Sequence, residues 1–301
     1  MAMARPTPQR AELWADCRCS LAESPRWDDR TNQLLWVDLD AGDLWKARTD
    51  RTAPPDGGPV RVQFDRPTSV AVPRMDGGLL TAGPGGFVWT DRDGRPGRTV
   101  DLPEDWSVMR MNDGACDPAG RLLCGSTSRE AGAGPGRLYQ LDGDGRVRVL
   151  LDGLGMSNGI AWSPTGDTVY HVDSLAHEVA AHDYDVDGGA LGDRRRFLVL
   201  EEDFGMPDGL TVDAEGFLWV AVWGAGRVLR CAPDGEVVSH VDVPARYVTA
   251  CAFGGDSLSD LYITTARRPS TGRPPRAEPA AGGVFRCAPG TSGLPLSRFD
   301  G

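Results

Sequence analysis

The chain has 301 residues, 40% hydrophobic and 25% charged, the composition of a soluble globular protein with enough apolar mass for a sizeable core. Its formal net charge of −11 argues against a nucleic-acid partner, because a phosphate backbone attracts basic surfaces. No stretch approaches the roughly 18 apolar residues of a membrane helix, and residues 1–9 lack the apolar core of a secretory signal, so a cytoplasmic location is expected.

Residues 1–10 read as a flexible polar tail, and 11–301 as a single domain. The 39 glycines and 23 prolines are spread along the chain, as many tight turns between short strands require. A strand candidate at 13–19 precedes the first copy of an internal repeat: an apolar strand, an acidic turn with glycine, then an aliphatic-aromatic strand. The unit occupies 24–38 and returns at 114–125 and 159–170. Its clearest copy is Gly209-Leu-Thr-Val-Asp-Ala-Glu-Gly-Phe-Leu-Trp-Val220, and weaker copies lie at 70–80 and 251–263. The period of ~42 to 50 residues is that of a four-stranded propeller blade. A further strand pair follows each copy, as at 137–141 with 147–150 and 227–231 with 237–240. Helical periodicity is hard to find. The expected fold is therefore all-β: a six-bladed β-propeller of four-stranded antiparallel blades, its ring closed by the N-terminal strand so that no sheet edge is left free. The Pro/Arg-rich run at 267–279 reads as an exposed loop in the last blade.

The seven cysteines make an odd count without a CxxC pair, so a disulfide framework and a thiolate metal site are both disfavoured. Cys116, Cys124, Cys231 and Cys251 lie in apolar runs and should pack as small hydrophobes; exposure is left open only for Cys17 and Cys19, near the start. His171, His177, His182 and His240 are scattered and read as surface or structural groups.

Polar residues precede four of the inner-strand candidates: Ala22-Glu23-Ser-Pro, Arg110-Met-Asn112-Asp113-Gly, Ser157-Asn158-Gly159 and Pro207-Asp208-Gly209. Asn-Gly and Asp-Gly are ordinary turn signals. Here they recur at equivalent places in the repeat, where a ring converges on its axis. Glu23, Asn158 and Asp208 together offer two carboxylates and an amide carbonyl, an all-oxygen set for a hard cation: Ca²⁺ first, with Mg²⁺ or Mn²⁺ as alternatives and Zn²⁺ admissible at an open oxygen site.

With these motifs, and with Asp117-Pro-Ala-Gly-Arg, Asp173-Ser and Cys251-Ala-Phe-Gly-Gly, the chain resembles the gluconolactonase and regucalcin (senescence marker protein) family of six-bladed propellers from about Cys19 to Phe285. The resemblance implies that Glu23, Asn158 and Asp208 are metal ligands and that Asp208 doubles as general base. It also implies that Arg110 and Asn112 hold substrate oxygens, and that Glu130 is a further substrate-contacting acid. The loop carrying Glu130 departs from the family pattern. Asp173 is assigned either a supporting role beside the site or a structural turn.

The expected activity is metal-dependent opening of a small sugar lactone by water, with Asp208 or a carboxylate beside it taking the proton. No Gly-x-Ser-x-Gly elbow supports a serine route. Alternatives are a related esterase or organophosphate hydrolase, and a non-catalytic calcium-binding or protein-binding propeller. The expected partner is the lactone itself, with neither nucleic acid nor membrane, and the protein a monomer or small homo-oligomer.

Overall fold

The computed structural model describes residues 9–48, 58–64, 67–92, 94–267 and 278–301. Each copy of the repeat folds as an antiparallel hairpin, and the following hairpin extends it to a four-stranded sheet. Blade one comprises Ala22–Asp28, Gln33–Asp38, Asp43–Arg48 and Val60–Gln63. Blade two comprises Val70–Pro73, Leu79–Gly83, Gly86–Thr90 and Pro96–Asp101. Blade three follows with Met109–Cys116, Leu122–Ser128, Gly136–Leu141 and Val147–Leu154, and blade four with Ser157–Trp162, Thr168–Asp173, Glu178–Asp185 and Ala190–Val199. Blade five contains Met206–Val212, Leu218–Trp223, Arg227–Cys231 and Val237–Asp242. Blade six takes Val248–Gly254, Asp260–Thr265 and Val284–Cys287 from the end of the chain, and Glu12–Ala15 from its beginning.

The N-terminal strand thus closes the ring, pairing antiparallel with Val284–Cys287. It is shorter than the stretch expected at 13–19, because the chain leaves the sheet and the Cys19 N–H turns to the Gly282 carbonyl at 2.9 Å. Gln9–Arg10, at the end of the expected tail, pairs in parallel with blade five. Residues 1–8 of that tail, and 268–277 of the expected loop, lie outside the described residues.

The acidic turn of the repeat has a physical reason. Asp117 accepts from the N–H groups of Ala119 and Arg121 at 3.0 and 2.8 Å, and Gly120 takes the left-handed φ of +83° that closes the turn. Asp213 does the same for Glu215 and Phe217, and its second oxygen receives Trp219 Nε1 at 2.9 Å and Arg230 Nη2 at 2.8 Å. Blades meet through apolar faces. Among the described residues each of the six blade-to-blade boundaries, including six to one, holds its own buried cluster. No helix is long and apolar enough to cross a membrane among the described residues. All seven cysteines are free; of the two for which exposure was left open Cys19 is buried and Cys17 half-buried, and Cys287, outside that pair, is half-buried as well.

The segment after blade six crosses one end of the ring. Ala214 N–H donates to Ser292 O at 2.8 Å, and Phe299, fully buried, bridges to blade two through Pro73. This strap was not foreseen, because it carries no repeat signal.

Candidate metal and substrate site

The polar residues lie near the starts of the inner strands, at the end of the channel opposite the strap. Asn158-Gly159 and Asp208-Gly209 sit inside strands, not in turns. None of Gly114, Gly159 and Gly209 has a left-handed φ. What they supply is room. A Cβ on Gly159 would lie 2.6 Å from the Asp208 carbonyl oxygen, and one on Gly209 would lie 2.3 Å from Ala250 Cβ. Glycine here lets the inner strands of blades four, five and six stand side by side around the axis.

A second device aims the side chains. Pairing of the inner strand shifts register between Glu23 and Arg26, Met111 and Gly114, Ser157 and Ile160, and Pro207 and Leu210. A bulge breaks the in-out alternation and re-aims the residues within it, so Glu23, Asn112, Asn158 and Asp208 gather at the channel. The inner strand of blade two, Val-Ala-Val-Pro, pairs without a shift.

Glu23, Asn158 and Asp208 are 7%, 4% and 5% exposed. Glu23 Oε2, Asn158 Oδ1 and Asp208 Oδ1 are buried without a hydrogen-bond partner. Native structures rarely leave such atoms orphaned, and three acceptors together, two of them on carboxyls, match the needs of a hard cation. Among the described residues no three His, Cys, Asp or Glu side chains converge on a metal-binding point; the donor set here is two carboxyls and one amide. Burial, then the nearby Asp208 and Asp113, hold the Glu23 carboxyl well above its usual pKa range, with Arg110 pulling the other way. Burial and Asp113 likewise raise Asp208, against the opposing effects of Arg110 and Asn158. These are acids whose charged state needs a cation beside them.

Arg110 Nη1 donates to Asn112 Oδ1 at 2.6 Å, and Asn112 Nδ2 donates to the Ser157 carbonyl at 2.7 Å. The two residues therefore form one unit running from blade three to blade four. Burial lowers the Arg110 pKa, opposed by the charges of Glu23, Asp40 and Asp208. Glu130 is placed differently: it is exposed in the bend after Leu122–Ser128, while the other five candidates are buried or half-buried.

Several residues of the site carry no role in the sequence reading. Asp113 is half-buried, its pKa raised by desolvation and opposed by Arg26. Asp40 and Arg129 act on Arg110 from neighbouring loops. Ser174 Oγ accepts from Asn158 Nδ2 at 3.1 Å. Asp173, for which the sequence left a supporting role or a structural turn open, is a backbone clamp, accepting from the N–H groups of Gly155 and Met156 at 2.8 and 2.9 Å just before Asn158. Of the histidines, none is a candidate ligand. His171 is buried and within 2.8 Å of Ser157 Oγ, and burial pushes its pKa down to about 4. His182 is buried as well.

A cavity of about 390 Å³ lies at the strap end of the channel, lined by Ser24, Arg26, Asp113, Trp162, Leu294 and Leu296 among others. It shares no lining residue with the Glu23, Asn158 and Asp208 set, although Ser24 adjoins Glu23.

Residues 21–267 match the model of the SMP-30/gluconolactonase/LRE-like region. Bovine regucalcin is 34% identical over 301 residues, covering 96% of this chain and 97% of that protein. A Bacillus subtilis (strain 168) protein provisionally named a sugar lactone lactonase is 32% identical over 297 residues, covering 97% of this chain and 99% of that one. Among solved structures, a calcium-binding protein, regucalcin, from Agrobacterium tumefaciens superposes with a TM-score of 0.89 at 27% identity, covering 99% of this chain and all of that one. With the matched region spanning blades one to five and the two inner strands of blade six, the chain belongs to the SMP-30/gluconolactonase/LRE-like family.

Proposed function

We propose that the protein hydrolyses a small sugar lactone at the open end of its channel, using one divalent cation, Ca²⁺ in the first instance, held by Glu23, Asn158 and Asp208. The observation that carries this reading is the set of three orphaned oxygens on those residues. The names of relatives supply the substrate class and the metal: one is provisionally a sugar lactone lactonase, another a calcium-binding protein.

When bound, such a cation polarises an ester carbonyl and acidifies water. The chain's own groups do the rest. Asp208 is the proposed acceptor for the proton of the attacking water through Oδ2, since the proposal gives its other oxygen, Oδ1, to the cation. Arg110 and Asn112 bind and orient the lactone, their mutual hydrogen bond fixing the guanidinium plane before substrate arrives. Glu130, on an exposed bend, is proposed to meet the part of a substrate that projects from the channel.

The test is hydrolysis of a panel of sugar lactones by chelator-stripped protein, to which Ca²⁺, Mn²⁺, Mg²⁺ or Zn²⁺ is restored, with Asp208→Ala alongside. Cation-dependent turnover absent in Asp208→Ala supports the proposal. Turnover of phosphotriesters or simple esters but no lactone would transfer the site to the related hydrolase reading. Tight Ca²⁺ binding without any hydrolysis would favour a calcium-binding propeller.

A further inference from the structure

An amide side chain offers a cation either a carbonyl oxygen, which binds it, or an NH₂ group, which repels it, and the two ends differ little in shape. Something must therefore decide which end of Asn158 faces Glu23 and Asp208. Ser174 stands on the other side of the amide, 2% exposed, in the short 3₁₀ turn Ser174–Ala176 that follows the second strand of blade four. Its hydroxyl carries one hydrogen. That hydrogen goes to the Pro207 carbonyl at 2.7 Å, leaving only lone pairs for Asn158. An oxygen without a spare hydrogen can accept from Nδ2, as it does at 3.1 Å, and cannot satisfy the amide carbonyl. The Ser174 backbone is held in turn, its N–H donating to Met156 O at 3.0 Å while the preceding Asp173 clamps Gly155 and Met156.

We propose that Ser174 is a positioning residue which sets the orientation of the Asn158 amide, and through it the affinity of the site for a divalent cation. The inference rests on the cation reading given above. The alternative orientation is a real competitor, because the Asn158 amide lies against the Asp208 carboxyl. Turned over, it would set its carbonyl against a Ser174 oxygen that has no hydrogen left to donate, and present NH₂ hydrogens where a cation has to sit. Ser174 also joins two blades, since Pro207, whose carbonyl it binds, immediately precedes Asp208. One hydroxyl thus holds the amide ligand and the backbone beside the acid ligand in a common frame.

The experiment is a Ca²⁺ titration by calorimetry of chelator-stripped wild type, Ser174→Ala, Asn158→Asp and the double variant, with melting temperatures in chelator measured beside it. Loss of a group that orients a metal ligand weakens binding about 10- to 100-fold. Ser174→Ala is expected to show that loss while melting close to wild type in chelator. In the Asn158→Asp background, where both ends of the side chain are oxygens, removing Ser174 is expected to change affinity by less than about threefold. Wild-type affinity in Ser174→Ala overturns the inference, as does an equal loss in both backgrounds. A wild type that binds no divalent cation overturns the cation reading itself, and the two failures are distinct.

Discussion

Replacing Gly159 by alanine places a methyl group against the strand that carries Asp208. Built on the existing backbone, that Cβ lies 2.6 Å from Asp208 O, 2.7 Å from Leu210 N and 2.8 Å from Leu210 Cγ. Carbon contacts settle near 3.5 Å or more, so the inner strands of blades four and five must part by on the order of 0.7 Å. Both contacts on the backbone are stiff, and overpacking of this kind costs about 1–3 kcal/mol. For a chain of this size that corresponds to a fall in Tm of roughly 2–5 °C. The functional loss should be larger in proportion, because the displacement falls at Asp208 itself and an error of about 1 Å in a reacting group costs ~100-fold. Gly134→Ala is the matched control: its Cβ meets nothing within 4 Å, and it should lie within about 0.5 kcal/mol of wild type. Thermal unfolding in chelator and Ca²⁺ titration of both variants provide the assay. If Gly159→Ala melts and binds like Gly134→Ala, the argument that these glycines exist for strand approach is wrong.

Three other outcomes follow from the same geometry. Glu23→Gln removes a buried acid crowded by Asp208 and Asp113, so the chelated variant should be more stable than wild type by on the order of 1 kcal/mol while losing Ca²⁺ binding. The sign with pH is fixed by the raised folded-state pKa: the contribution of Glu23 is fully present below the ordinary carboxylate value of about 4 and is lost as pH rises through the raised one. The advantage of Glu23→Gln in urea unfolding should therefore grow from pH 5 to pH 8, and a shrinking advantage would contradict the burial argument. Asp213→Ala strips Arg230, Trp219 and two turn amides of their acceptor at a fully buried point, and chemical denaturation should show a loss of about 3–5 kcal/mol. His171, kept neutral by burial, should show no titration of its ring proton resonances by NMR between pH 8 and pH 5.

The blades were legible in the sequence because each repeats the same local demands. An acidic residue capping a turn, a glycine closing it and an apolar strand on either side leave a periodic trace, and Asp117 and Asp213 show the chemistry behind it. Glu23, Asn158 and Asp208 were legible as polar interruptions of that trace. Their surroundings were not. Ser174 lies 16 residues from Asn158 and reaches it only because the second strand returns antiparallel to the first, and Asp113 matters through desolvation, which spacing does not reveal. The turn signal carried by Asn-Gly and Asp-Gly also points the wrong way locally, since these glycines serve strand packing. The strap at 289–301 left no signature, having neither the repeat nor an amphipathic period, and it is held by backbone bonds to blades that the sequence places far away. Glu130 shows the converse, a family assignment in a loop whose sequence departs from the pattern and whose side chain stands exposed.

The central claim is that three uncommitted oxygens from three blades bind one divalent cation. A crystal structure of the protein grown with Ca²⁺, with anomalous data to identify the ion, tests it most directly. The account predicts a single calcium bonded to Glu23 Oε2, Asn158 Oδ1 and Asp208 Oδ1 at about 2.3–2.6 Å, its remaining positions open to the channel. Calcium bound elsewhere, or a site in which Asn158 turns its NH₂ group toward the cation position and the ion is excluded, would contradict it.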